Sequence, residues 1–119
     1  MRSHNKLDAW KKAIDFVVAI YKATDNFPKE EKFGLTSQLR RAAVSIPANI
    51  AEGAARRSSK EYTQFLSHSQ GSASEVETEL LIAFRLGFLT KAKYEELYRD
   101  LDDIGRMITG VSKYLKRQS

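Results

Sequence analysis

Hydrophobic residues recur along this chain at intervals of three and four positions, and no segment alternates apolar and polar residues over the length of a strand. This spacing puts apolar side chains on one face of an α-helix, so it predicts an all-α protein. Glycine and proline, the residues that interrupt helices, number only 6 and 2 in 119 residues. We predict four helices, at about residues 6–26, 35–57, 59–87 and 91–117.

Local signals mark the predicted helix ends. Asn5 is placed to cap the first helix, which should end before Phe27 and Pro28 because a residue before proline avoids the helical region. Ser58 and Glu61 match a capping box, in which each side chain satisfies a free backbone N–H, so the third helix should begin there. Gly87 suits the left-handed position after that helix, and Thr90 suits the cap of the fourth.

Four helices with short connections pack most simply as an antiparallel up-down-up-down four-helix bundle, here a single domain over residues 1–119. The predicted core stripe of the first helix is Leu7, Trp10, Ile14, Val17, Tyr21 and Thr24. Phe16, Val18 and Ile20 make this helix apolar beyond one stripe, more than one bundle seam requires. The excess predicts a second contact surface, and hence an oligomer.

Pro47 lies inside the second predicted helix, where it removes a hydrogen bond and crowds the carbonyl of Ala43, at a cost of roughly 3 kcal/mol. One interpretation is a bend that wraps the helix around its neighbours, with alanines permitting close approach. The other is a polar site built from the freed carbonyl and the side chains of Ser45 and Asn49. The small residues from Gly71 through Ser72 to Ser74 in the third helix predict close packing against the second.

Arg40 and Arg41 run past Glu75, Glu77 and Glu79 if the second and third helices are antiparallel. Ion pairs between the two helices are therefore the preferred interpretation of these arginines. Such pairs fix the register of packing more surely than they add stability.

Positive charge is concentrated on one part of the predicted bundle. The chain carries 20 Lys and Arg against 15 Asp and Glu, a formal net charge of +5. The start of the first helix, the join of the second and third helices and the end of the fourth meet at one end, which we call the basic end. Its cations are Arg2, Lys6, Lys11, Lys12, Arg56, Arg57, Lys60, Lys113, Lys116 and Arg117, and its carboxylates are Asp8, Glu52 and Glu61.

A one-sided basic face is the electrostatic footprint of phosphate-backbone binding. The alternative is a solvated face whose Lys and Arg near the ends of the second and fourth helices interact favourably with the helix dipoles. The candidate nucleic-acid-binding residues are Lys11, Lys12, Arg56, Arg57, Lys60, Lys113, Lys116 and Arg117.

Catalytic and metal motifs find no support in the sequence. It has no glycine-rich phosphate loop, no nucleophile elbow and no Glu-x-x-His pair of the kind that binds iron in helical bundles. His68 with Glu75 is a two-residue set, too few for a metal site, and cysteine is absent. We therefore expect a non-enzymatic protein with no cofactor.

The longest apolar run of the first helix, Phe16 to Tyr21, is too short to cross a membrane, which favours a soluble cytoplasmic protein.

The segment LTSQLRRAAVSIPANIAEGAARRSSKEYTQFLSHSQGSASEVETELLIAFRLGFL, residues 35–89, resembles a known family. These are small proteins first noticed as reading frames in the intervening sequences of bacterial large-subunit ribosomal RNA genes. Arg40, Arg41 and a run around Pro47 carry much of the resemblance. The matching positions of the structural motif are Arg40, Arg41, Ser45, Pro47, Asn49, Glu52, Gly53, Gly71, Ser72 and Glu75.

The resemblance implies a four-helix bundle assembled as a ring-shaped homopentamer with a central channel. The family also includes the accessory variability determinant of diversity-generating retroelements, a basic pentamer that binds a reverse transcriptase and nucleic acid. RNA or DNA, a reverse transcriptase or another protein are therefore the partners that the resemblance implies. Two hypotheses follow: a pentameric nucleic-acid-binding accessory protein, or a protein-interaction scaffold whose basic end is incidental.

Overall fold

Four α-helices make up the fold, which we describe for residues 6–118 from a computed structural model. The helices are α1 (Lys6–Thr24), α2 (Leu35–Ala54), α3 (Ser59–Arg85) and α4 (Lys91–Gln118), with one 3₁₀ turn at Lys29–Glu31 between α1 and α2. No strand occurs within these residues. The prediction of an all-α chain with four helices is confirmed.

The helices pack as an elongated antiparallel bundle of 47 × 26 × 18 Å. α1 packs against α2 and α4, and α3 packs against the same two helices from the other side. This arrangement is the up-down-up-down bundle expected from short connections. None of the helices within residues 6–118 is long and apolar enough to cross a membrane.

Three predicted helix ends were too late by two or three residues. α1 ends at Thr24 rather than near 26, because the Phe27 N–H already bonds the Thr24 carbonyl in a turn ahead of Pro28. α2 ends at Ala54 rather than near 57, since the Arg56 N–H folds back to the Gly53 carbonyl. α3 ends at Arg85 rather than 87, where a tighter closing turn begins.

The predicted caps hold where they can be observed. The Ser58 hydroxyl accepts the Glu61 N–H at 3.1 Å, and the Thr90 hydroxyl accepts the Lys93 N–H at 3.1 Å. Gly87 has φ +82°, and the N–H of Phe88 reaches back to the Ala83 carbonyl at 2.9 Å, which is the Schellman closure of α3. The cap predicted at Asn5 lies outside the described residues.

The core stripe predicted for α1 is wrong apart from Thr24 and the partly buried Val17. The buried residues of this helix are Ala9, Ala13, Phe16, Ile20 and Thr24. Alanines 9 and 13 allow close approach to the neighbouring helices, and Phe16 and Ile20 complete that stripe. Leu7, Trp10, Ile14 and Tyr21 are exposed instead, at 56, 37, 39 and 43% of their full surface.

Close packing between α2 and α3 occurs at Gly53, not at Gly71. A Cβ on Gly53 would lie 2.8 Å from Phe65 Cβ and 2.8 Å from Tyr62 Cδ1, closer than side chains tolerate. Gly71 is exposed and a Cβ there would meet nothing within 4 Å, so the expectation of close approach is wrong at this glycine. The two helices do meet at the next residue, where Ser72 Oγ donates to Ser45 Oγ at 2.9 Å.

Hydrogen bonds surround Pro47 on the side that faces α3. Asn49 Nδ2 donates to the Ser45 carbonyl at 2.8 Å and to Ser45 Oγ at 3.0 Å, and Ser72 Oγ donates to Ser45 Oγ at 2.9 Å. One residue before the proline, the Ile46 carbonyl accepts Ser69 Oγ at 2.8 Å. Ser45 and Asn49 thus form a polar cluster, as one interpretation predicted, but α3 serines complete it, and none of these bonds involves the Ala43 carbonyl that Pro47 frees.

Arg40 binds α1 rather than α3, so the predicted ion pairs with α3 are wrong. Its Nε donates to Thr24 Oγ1 at 2.8 Å, and its guanidinium reaches Asp25 Oδ1 at 3.0 Å and the Tyr21 carbonyl at 3.2 Å. Between residues 6 and 118, neither Arg40 nor Arg41 forms an ion pair with the α3 glutamates. Arg40 therefore closes the C-terminus of α1, where free carbonyls attract a cation.

Candidate nucleic-acid interface

The basic end is assembled from four helix termini. Lys6 Nζ, at the start of α1, lies 5.4 Å from the centre of the Tyr62 ring near the start of α3. Gln70 Nε2 of α3 donates to the Gly105 carbonyl of α4 at 2.9 Å. The two helices are antiparallel and both rise 1.5 Å per residue. Lys60, ten residues before Gln70, therefore lies level with Leu115, ten residues after Gly105, in the last turns of α4.

Most predicted binding residues at this end are exposed to solvent. Along the described chain, Arg57 and Lys60 follow the α2 terminus, and neither forms an ion pair. The exposed cations are Lys6, Lys11, Arg56, Arg57, Lys60, Lys113, Lys116 and Arg117. Arg2 lies outside the described residues. The structure thus places most of the predicted cations at one end of the bundle.

Two of the predicted residues have intramolecular roles. Arg56 pairs with Glu52 at 3.1 Å, and its guanidinium lies 4.6 Å from the centre of the Phe65 ring. Lys12 Nζ lies 3.8 Å from Asp103 Oδ2 of α4, a carboxylate that sequence reasoning did not place near this end. Lys12 is therefore partly neutralised and faces the flank of the bundle, which makes it the weakest candidate of the predicted set.

The opposite end of the bundle has mixed charge. The 3₁₀ turn carries Lys29 beside Glu30 and Glu31, and Lys93 is paired with Glu96 at 2.8 Å. The hydrogen bond from Lys93 lowers the pKa of Glu96. This end therefore provides no concentrated positive field.

The family-motif residues are distributed along α2 and α3 and lie away from the basic end, apart from Glu52 and Gly53 near the α2 terminus. Ser45, Pro47, Asn49 and Ser72 meet in the α2–α3 cluster, and Arg40 binds α1. Arg41, Gly71 and Glu75 are exposed on the bundle surface and are not brought into one site. The motif thus describes the fold more than a binding site.

Glu79, in the α3 segment that was expected to pair with arginines, is buried instead. It is 6% exposed, and its Oε1 has no hydrogen-bond partner within residues 6–118. Burial, followed by the nearby charge of Glu75 and a hydrogen bond with it, raises the pKa of Glu79 from its usual 4.5 to about 7. Sequence reasoning missed this group because a glutamate among glutamates gives no sign of its burial.

Two grooves on the surface were also missed by sequence reasoning. A polar groove between α3 and α4, about 480 Å³ in volume, is lined by Gln70, Glu77, Gly105 and Arg106 among others. An apolar cleft lies at the basic end between α1, α2 and α3. Within the described chain, no group of three or more His, Asp or Glu residues is arranged to hold a metal ion.

Comparison with known proteins identifies the family. The profile of the 23S rRNA-intervening sequence proteins matches residues 5–110, which is nearly the whole chain. The chain belongs to this family. The resemblance that was carried by Arg40, Pro47 and the surrounding motif is thereby confirmed.

A solved structure has the same architecture as this member of the 23S rRNA-intervening sequence protein family. It is the crystal structure of a protein with unknown function from the S23 ribosomal protein family of Bacteroides thetaiotaomicron. The two chains are 24% identical with a TM-score of 0.84, over 91% of this chain and 97% of that chain. This likeness extends to the fold alone. A search of curated protein sequences gave no match.

Proposed function

We propose that this protein is a non-enzymatic nucleic-acid-binding accessory protein, which contacts the phosphate backbone of RNA or DNA through its basic end and works as a ring-shaped homopentamer. The observation that carries the proposal is the concentration of cations on one end of the bundle. Nine described Lys and Arg residues meet four carboxylates there, counting Asp103, while the opposite end is mixed. Family membership agrees with the proposal but assigns no activity.

The exposure of these cations favours an external polyanion. Arg57, Lys60 and Lys113 are exposed, and none of them forms an ion pair within residues 6–118. Their donors are therefore open to solvent and able to contact phosphate oxygens. Binding of this kind releases counterions, so its affinity falls steeply with salt and depends little on base sequence.

An exposed apolar surface supports self-association. We define the α1/α2 apolar face as Ile14 and Val18 of α1 with Val44 and Ala48 of α2, all of them exposed. Trp10 of α1 and Ala51 of α2 line one cleft. Because the two helices are antiparallel, Ile14, one turn after Trp10, lies beside Ala48, about one turn before Ala51. A run of exposed apolar residues on a soluble helical bundle marks a contact surface.

Assembly would multiply the field of the basic end. A closed ring repeats every subunit contact by rotation, so the basic ends of all subunits lie on the same rim. Within the Debye length of about 8–10 Å at physiological salt, neighbouring basic ends act on the same phosphate backbone. A modest charge on one subunit thus becomes a strongly basic surface in the oligomer.

The test is a salt titration of binding with matched variants. Because Arg56 also packs on Phe65, the cleaner probe is the double variant Arg57→Ala with Lys60→Ala. We expect weaker binding of a short single-stranded RNA at low salt, and a shallower slope of log affinity against log salt, by about 0.7 for each phosphate that the variant no longer neutralises. The control variant, Lys29→Ala with Lys91→Ala, removes the same charge from the opposite end. It should leave the RNA affinity and the salt slope unchanged. Absence of RNA and DNA binding by the unaltered protein at low salt would refute the proposal.

The α1/α2 apolar face also favours a second candidate function, a protein-interaction scaffold. In that case a reverse transcriptase or another protein would occupy part of the surface, and the basic end would be incidental. The scaffold function would be favoured by a partner that stays bound at high salt and is lost on Val18→Glu, provided that the protein binds no nucleic acid.

A cytoplasmic location remains a prediction from the sequence.

A further inference from the structure

The apolar cleft at the basic end has the size and composition of a ligand site. Its volume is about 410 Å³, within the range of roughly 300–1,000 Å³ typical of small-molecule pockets. It opens between the first turns of α1, the last turns of α2 and the start of α3. Its lining residues are Lys6, Leu7, Trp10, Ile50, Ala51, Ala54 and Tyr62.

Tyr62 gives the cleft an unsatisfied polar group. This residue is only 5% exposed, and its hydroxyl is buried without a hydrogen-bond partner within residues 6–118. A buried hydroxyl that lacks a partner is unfavourable, so a ligand that supplied one would gain from the contact. Desolvation raises the pKa of the Tyr62 phenol, which therefore stays protonated and able to donate.

The walls and the rim of the cleft differ in chemistry. Leu7, Ile50 and Ala54 make the walls apolar, and Trp10 offers an aromatic ring that is 37% exposed. Lys6 lies at the edge, and Arg57 follows in the turn just beyond Ala54. A flat, partly polar group attached to an anionic chain satisfies all three features at once.

We propose that this cleft takes one nucleobase of a single-stranded nucleic acid, stacked on Trp10 and hydrogen-bonded to the Tyr62 hydroxyl, with the flanking phosphates on Lys6 and Arg57. The inference rests on the proposed function and adds a substrate class to it. Bases of single strands are free to leave the chain axis, whereas a duplex would have to unpair one first. The site therefore selects single strands over duplexes while reading little sequence, because every base has a stacking face.

The only tryptophan of the chain reports directly on the cleft, since Trp10 lines it. A short single-stranded RNA should quench Trp10 fluorescence, whereas inorganic polyphosphate of equal charge should bind the basic end without quenching. Trp10→Ala should weaken RNA binding about tenfold, by loss of stacking, and leave polyphosphate binding unchanged. Trp10→Phe keeps an aromatic ring and should retain most of the affinity.

A conservative variant tests the hydroxyl. Tyr62→Phe keeps the ring against Gly53 and should weaken RNA binding about fivefold without changing polyphosphate binding. The matched control is Tyr98→Phe, which removes a hydroxyl from a half-exposed tyrosine of α4 outside the cleft and should bind as the unaltered protein does. Circular dichroism and thermal melting of each variant establish that it is folded before its affinity is compared.

Three outcomes would overturn the inference. Equal binding of RNA and polyphosphate without quenching would mean that the basic end binds phosphate alone, which leaves the proposed function intact. Failure to bind either ligand would refute both the function and the inference. Dissociation of the oligomer by Trp10→Ala, with unchanged RNA affinity per subunit, would show that a second copy of the chain occupies the cleft.

Discussion

Gly53 of α2 lies against Tyr62 of α3 so closely that a single added methyl group would come within 2.8 Å of the Tyr62 ring. This contact joins the last turn of α2 to the first turn of α3, on either side of the connection that carries Arg56 and Arg57. The glycine therefore sets both the spacing of two helices and the position of the loop that forms part of the basic end.

Gly53→Ala should destabilise the bundle. Relief of contacts at 2.8 Å with Phe65 Cβ and Tyr62 Cδ1 requires a shift of the helices, and overpacking of this kind costs about 1–3 kcal/mol. Urea denaturation followed by circular dichroism measures the change in the free energy of unfolding.

The matched control for Gly53→Ala is Gly71→Ala, in the middle of α3. No atom lies within 4 Å of the added methyl group, and alanine favours a helix over glycine by about 1 kcal/mol, so this variant should be more stable than the unaltered protein. Equal effects of the two substitutions would contradict the role assigned to Gly53.

Arg40→Ala should loosen the C-terminus of α1. The variant loses the bonds to Thr24 Oγ1 and the Tyr21 carbonyl and the ion pair with Asp25, for a loss of about 1–2 kcal/mol in the free energy of unfolding. Amide hydrogen exchange should become faster first at Thr24 and Asp25. Arg41→Ala, an exposed neighbour, should change stability by less than about 0.5 kcal/mol.

Glu79 should make the stability of the protein depend on pH. Its pKa is about 7 in the folded protein against 4.5 ordinarily, so between these values the folded state holds a proton that the unfolded state lacks. The stabilising proton is fully present below about pH 4.5, and its contribution, up to about 3 kcal/mol, is lost as the pH rises through 7.

Glu79→Gln removes this titration. The variant should therefore be more stable than the unaltered protein at pH 8, and the difference should shrink as the pH falls toward 5, as measured by urea denaturation over that range. Glu77→Gln, exposed on the same helix, should reproduce the pH profile of the unaltered protein. Parallel profiles for Glu79→Gln and the unaltered protein would be inconsistent with a buried, protonated Glu79.

Val18→Glu should prevent the proposed self-association. A charge in the middle of the α1/α2 apolar face has to be desolvated when a second copy packs there, whereas the isolated subunit keeps it in water because Val18 is 49% exposed. Light scattering coupled to size-exclusion chromatography, or native mass spectrometry, gives the subunit number. Phe33→Ser removes an apolar residue that is 89% exposed outside this face, and should leave the assembly unchanged.

The number of helices and the caps at Ser58, Gly87 and Thr90 were predictable because their signals are local. The capping hydroxyls of Ser58 and Thr90 bond to an N–H three residues away, and Gly87 closes α3 through atoms within five residues of it. The sequence contains both partners of each such bond, so their geometry follows once a helix begins to form. The basic end was predictable for a related reason, because short connections between four helices dictate which termini meet.

Only the tertiary structure decided which faces of those helices are buried. α1 is apolar on two sides, and the stripe of Ala9, Ala13, Phe16 and Ile20 faces the core, because alanines let neighbouring helices approach and bury Phe16 and Ile20. Arg40 bonds to Thr24 and Asp25 rather than to the α3 glutamates. The side chain of Glu79 is buried, including its carboxyl group. The sequence by itself determined the helices and the basic end, whereas the choice of partners depended on how the four helices rotate against one another.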